Sequence, residues 1–137
     1  MSDVKLCTVQ NVRDLGVILD SHLTFRDHIN SIVSRGHLRA MQIWHCFLCK
    51  DASLLCEAFI TYVRPMLEYC SPVWSPTVTL INQLESVQRR FTKRLPGFKS
   101  LLYDERCALL GIDRLELRRL RVDLIMSYKI IRGLVLV

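Results

Sequence analysis

Long apolar runs are missing from this 137-residue chain. No stretch approaches the roughly 18 uninterrupted apolar residues that a bilayer-spanning helix needs. The longest candidate, "LIMSYKIIRGLVLV", is broken by Lys129 and Arg132. The opening "MSDVKLCTVQ" lacks the charged-then-apolar layout of a signal peptide. The expectation is an intracellular protein of nucleus or cytoplasm, neither secreted nor membrane-bound. Its six cysteines are then expected as reduced thiols rather than a disulfide framework. Glycines number only five, and none forms a phosphate-cradling loop. No two aspartates adjoin and no carboxylate cluster suggests a two-metal site. His22, His28, His37 and His45 share no pattern with a single Ser or Cys. In "HCFLC", Cys46 and Cys49 have CxxC spacing with Cys56 near, but a structural zinc site needs four ligands. Cys70 and Cys107 are isolated, so Cys46 and Cys49 are expected as buried thiols beside Trp44 and Phe47. These absences leave no expected catalytic residue, metal ligand or cofactor within the chain.

What is present is charge, unevenly placed. The formal net charge is +6, yet residues 86–137 hold twelve Lys and Arg against five Asp and Glu, while residues 1–85 hold seven against eight. Half the residues are hydrophobic, enough to form a core rather than a disordered tail. A localised basic excess on a core-forming chain points to a polyanionic partner.

The pattern predicts a mainly α fold: a short N-terminal β-hairpin (residues 1–20), then about five helices (residues 21–137). Two β-branched runs, Val4–Val9 and Val12–Leu19, flank a predicted turn at Gln10-Asn11. Gly16 then falls inside the second strand, where it reads as a bulge. Asp20, Ser21 or Thr24 caps a helix reaching about Cys49, with Phe25, Ile29, Ile32, Val33, Gly36, Ala40, Ile43 and Phe47 on one face. Gly36 and Ala40 make a flat patch that admits a second helix closely. Asp51 caps the next helix, from Ala52 to about Val63, which Arg64-Pro65 bends or ends. After the connector "LEYCSPVWSP", a third helix starts near Ser75-Pro76 or Thr79. Shorter and longer helices follow, at about Tyr103–Leu110 and about Arg114–Arg132, each stopped by a glycine.

The third helix carries "LESVQRRFTKRLPG". Leu80, Leu84, Val87, Phe91 and Leu95 form its expected buried stripe. Arg89, Arg90 and Lys93 lie opposite, with Arg94 at the margin and Lys99 just beyond. A solvated helix face normally mixes charge signs at i,i+4. Here Glu85 is expected to offset Arg89, and no acid follows until Asp104. Uncompensated cations on one face are the footprint of phosphate contact. The last helix repeats the basic pattern with Arg114, Arg118, Arg119 and Arg121, partly offset by Glu116 and Asp123. Its remaining positions are apolar nearly all round, which predicts burial on several sides or packing that the chain does not supply.

Taken in order, "VRDLGVILDSHLTFRDHI", Tyr62-Val63-Arg64-Pro65 running into "MLEYCSPVWSP", "LESVQRRFTKRLPG" and "YDERCALLGIDRLELRRLRVDLIMSYKII" resemble the C-terminal part of non-LTR (LINE-type) retrotransposon reverse transcriptases, jockey-like branch. The resemblance covers about Lys5 to Leu134. It implies a primer grip at Leu15, Gly16 and Val17, with Gly16 admitting a nucleic-acid backbone, followed by a thumb-like helical bundle. Arg89, Arg90, Lys93 and Arg94 fall within the family's Q-R-R-x-T-K-R stretch. With Lys99, Arg118, Arg119 and Arg121 they are the expected contacts to RNA–DNA hybrid or duplex, held without regard to sequence. The family's A-D-D motif, which binds Mg²⁺, belongs to a palm that this sequence lacks, along with the fingers and endonuclease. The expected product is therefore a fragment of an RNA-directed DNA polymerase, inactive alone, that binds template–primer and the missing palm and fingers. Alternatives are a helical protein-interaction module or a non-functional product of a degenerate element.

Overall fold

In the computed structural model, which describes residues 7–74 and 76–135, the chain turns at Leu15-Gly16. Strands β1 (Asn11–Asp14) and β2 (Val17–Asp20) pair antiparallel, Asn11 opposite Asp20 and Asp14 opposite Val17. Both turn residues have positive φ, 46° at Leu15 and 87° at Gly16, as a two-residue type I′ connection requires. This corrects the expected turn at Gln10-Asn11. Asn11 instead begins β1, and its amide donates to the Asp27 carboxylate at 2.8 Å. Cys7–Val9 carry no strand, and Val4–Leu6 of the expected first run lie outside the described residues. Gly16 is thus a turn glycine, required by its left-handed φ, and not a bulge.

After the hairpin come α1 (Arg26–Cys46), α2 (Ala52–Tyr62), α3 (Arg64–Glu68), α4 (Val78–Arg94), α5 (Tyr103–Leu110) and α6 (Leu115–Ile131). The fold is mainly helical, with α3 a single short turn of helix after the break at Val63. Asp20 organises the entry to α1. Its carboxylate accepts from the amides of His22, Thr24 and Phe25 at 3.0, 3.0 and 2.7 Å and from the Thr24 hydroxyl at 3.0 Å. Those bonds, the Thr24 amide first, hold its pKa below the ordinary carboxylate value. Asp51 caps α2 by accepting from the Leu54 amide at 3.0 Å. Gly111, with φ 65°, ends α5 in the left-handed conformation.

α4 is the centre of the bundle. It packs on α1 along one side and on α5 and α6 along another. Leu80, Leu84, Val87, Phe91 and Leu95 are all buried, joined by Ile29, Ile32, Ala40 and Ile43 of α1 and by Leu55, Phe59 and Val63 of and after α2. The Phe59 and Phe91 rings stack with centroids 4.6 Å apart. At Gly36 the neighbours pack too closely for a side chain: a Cβ there would stand 2.9 Å from Leu67 Cδ2 and 3.3 Å from Val87 Cγ1. Trp74, in the connector, is buried against His28 with ring centroids 5.8 Å apart, and its indole donates to the Tyr69 carbonyl at 3.1 Å.

The cysteines are free thiols. Cys56 and Cys107 are buried together with Ile112 between α2 and α5, and burial pushes both thiols up in pKa. Cys46 and Cys49 are exposed, which corrects the expectation of burial. α1 ends at Cys46, and the residues that follow it lead outward to the Asp51 cap.

Candidate nucleic-acid interface

The basic residues of α4 divide between its two flanks. Arg90, Lys93 and Arg94 face α1 and line a groove of about 310 Å³ with His37, Met41 and Trp44. Lys93 and Arg94 also border an adjoining open hollow of about 590 Å³, reached by Lys99 beyond the Pro96-Gly97 stop. Residues 37, 41 and 44 share one face of α1 because they are spaced i, i+4, i+7. Among the described residues no Asp or Glu lines either hollow. Among the described residues no carboxylate lies within 4.0 Å of Arg90, Lys93, Arg94 or Lys99.

Trp44 is the aromatic centre of this groove. Its ring lies 5.8 Å from Phe91, with Arg94 and Lys50 over it at 5.3 and 5.4 Å. Its indole N–H is buried and has no hydrogen-bond partner among the described residues. His37 sits beside Arg90, its Nε2 3.5 Å from the Ser86 hydroxyl. Burial, then the Arg90 charge, lowers its pKa below the ordinary 6.5. The imidazole is therefore neutral at neutral pH, and the positive charge of the groove comes from arginine and lysine. Sequence patterning missed Trp44 and His37; the signal was there, an i, i+7 pair on the face of α1 opposite Phe91.

Arg89 turns the other way, over the Tyr103 ring of α5 at 5.1 Å. The expected Glu85–Arg89 offset is replaced by something else. Glu85 is only 4% exposed. Its carboxylate accepts from the Tyr103 hydroxyl, from the Leu115 amide at 3.3 Å and from the Glu116 amide at 3.1 Å. It thus caps α6, where a carboxylate meets the positive end of the helix dipole. Burial first, and the Glu85 bond second, raise the Tyr103 pKa far above that of a free phenol. Gln88, also buried, donates to Tyr103 and to the Asp113 carbonyl, both at 3.0 Å.

Two of the four basic residues of α6, Arg118 and Arg121, are paired, as is Arg114 at its N-cap. Arg118 binds Glu68 through two bonds, at 2.5 and 3.1 Å, and that bond raises its pKa. Arg121 pairs with Asp113, and Arg114 with Asp104. Arg119 sits half-buried at the edge of a small crevice between α4 and α6. The primer-grip-like residues also separate: Leu15 is 83% exposed at the turn and Val17 is buried in the core. A Cβ on Gly16 would meet only Tyr69 Cε1 at 3.5 Å, an ordinary contact. Among the described residues no three His, Cys, Asp or Glu come together as a metal site, and no helix is long and apolar enough to cross a membrane.

The chain is 26% identical over 133 residues to the uncharacterized protein B0403.1 of Caenorhabditis elegans, a match covering 94% of this chain and 67% of that protein. No family model matches the chain, and neither does a solved structure.

Proposed function

We propose that the chain is the primer-grip and thumb part of a non-LTR retrotransposon reverse transcriptase, and that it holds RNA–DNA hybrid or duplex by its phosphates without reading sequence. The reading assigns no catalytic role to the chain: the Mg²⁺-binding aspartates of such a polymerase belong to its palm. An intracellular setting, nuclear or cytoplasmic, goes with it. One observation carries it. The α1–α4 groove gathers Arg90, Lys93, Arg94 and Trp44, with no acid among the described residues of its walls. Cations without counter-charge attract phosphate, and an aromatic among them stacks on bases or sugars.

The test is a salt series of fluorescence anisotropy with an RNA–DNA hybrid. Log affinity should fall linearly with log salt, and changing Arg90, Lys93 and Arg94 together to Gln should make the slope shallower by about 3. Scrambling the hybrid's sequence should leave affinity unchanged. A flat salt response, or a slope untouched by the triple change, refutes the reading.

A second reading has its own support in α6. Leu117, Leu120, Leu124, Ile125, Tyr128 and Ile131 are exposed there, and a cluster of exposed apolar residues is a feature of protein-interaction sites. In that reading the chain is a helical protein-interaction module. The triple Gln change would then spare partner binding, while Leu120→Lys with Leu124→Lys would remove it.

A further inference from the structure

The opposite flank of α1 holds a second basic cavity, of about 390 Å³, between the hairpin, α1 and α3. Arg35 and Arg39 of α1 and Arg13 of β1 line it, together with Gly16, His28 and Tyr69. Residues 35 and 39 lie one turn apart on a face roughly opposite that of 37, 41 and 44, so the helix stands between the two basic hollows. Among the described residues no Asp or Glu lines this cavity. Among the described residues none comes within 4.0 Å of the three guanidiniums. Asp20 and Asp27, the carboxylates at the base of the hairpin, accept from the loop amides and from Asn11.

Two features make this more than a charged surface. Arg39 is already positioned: its Nη1 donates to the Tyr62 carbonyl at 3.1 Å, which leaves its other N–H groups available. His28, only 2% exposed, forms part of the wall. Its Nδ1 accepts from the Ile18 amide at 3.3 Å, so a neutral ring carries its proton on Nε2, and that buried atom has no partner among the described residues. The Tyr69 hydroxyl donates to the Leu15 carbonyl at 3.0 Å and so holds the hairpin tip against α3. Three cations on two elements, with a buried donor behind them, match the oxygens of a dianion better than those of a carboxylate.

We propose that this cavity is a phosphate site, formed by Arg13, Arg35, Arg39 and His28. The site stands independently of the α1–α4 groove. Its phosphate comes either from a nucleic-acid backbone or from a soluble phosphate compound.

Inorganic phosphate is the first probe, titrated against chloride at matched ionic strength while the His28 ring is followed by NMR. Phosphate should shift the His28 signals saturably. Arg13→Gln with Arg35→Gln should weaken that response by about tenfold or more, each charged hydrogen bond contributing on this scale. The same titration on the chain with Arg90, Lys93 and Arg94 changed to Gln should be unaltered, which separates this site from the groove. Should the double variant fail to fold, Tyr69→Phe tests the same closure by releasing the hairpin tip, and the wild-type titration stands by itself. An unsaturable response, or one equal for phosphate and chloride, overturns the proposal. Hybrid affinity in the Arg13→Gln, Arg35→Gln chain then names the source: a loss indicates the nucleic-acid backbone, and no loss indicates a soluble phosphate.

Discussion

α4 and α6 are each seventeen residues long, and each carries three arginines and several large apolar residues. Their surroundings are nearly inverted. α4 is covered on two sides, so its apolar stripe and even Glu85, Gln88 and Thr92 are buried, while Arg90, Lys93 and Arg94 have no carboxylate partner among the described residues. α6 buries only Leu115. Its arginines at 118 and 121 are tied to carboxylates, and its other leucines, Leu117, Leu120 and Leu124, are exposed. A cationic residue is available to a polyanion only where its own fold supplies no acid, and an apolar residue stabilises only where the fold covers it. The same composition therefore yields a binding face on one helix and an unpartnered apolar face on the other.

The sharpest break in this comparison is between two leucines. Leu84→Ala on α4 should cost about 2–5 kcal/mol, the cost of a cavity in a close-packed core. Leu124→Ala on α6, 61% exposed, should change stability by less than about 0.5 kcal/mol. Urea unfolding of the two variants decides it, and equal losses would mean that α6 is covered in solution.

Next in size is the link between the helices. Glu85→Ala leaves the Tyr103 hydroxyl and the Leu115 and Glu116 amides without their acceptor. The expected loss is about 2 kcal/mol, with amide exchange at Leu115 and Glu116 accelerated before that of α1. Exchange unchanged at those two amides would show that Glu85 does not hold α6 in place.

The smallest effect distinguishes paired from unpaired arginines. Arg121→Gln should lower stability by at most about 1 kcal/mol, with the loss fading as salt is added. Arg90→Gln should be neutral or slightly stabilising, since it relieves repulsion from Lys93 and Arg94 without breaking an ion pair. Thermal unfolding at low and high salt reads both.

Much of the helical framework was legible because local rules governed it. Asp51 as a cap, Gly111 as a stop and the i, i+3, i+4 stripe of α4 follow from backbone hydrogen bonding and helical period within a few residues. The hairpin's existence was legible too, but not its turn. The preference for Asn pointed to Gln10-Asn11, whereas pairing Val17 into the core required the reversal at Leu15-Gly16. The basic run on α4 was visible as well, yet its division between a groove and the Tyr103 side was not. That division depends on α1 and α5 arriving on different flanks.

By itself, then, the sequence determined the order and kind of the elements, the covered stripe of α4 and the excess of positive charge in the second half. Tertiary structure alone decided the fate of each charge. Glu85 meets partners 18 to 31 residues away in the chain, Glu68 one 50 away and Asp113 one 8 away. Those pairings remove Arg118 and Arg121 from the free positive surface and leave Arg90, Lys93 and Arg94 on it. The physical reason is range: helical period and capping act within one turn, whereas an ion pair or a basic cavity exists only where packing brings distant segments within a few ångströms.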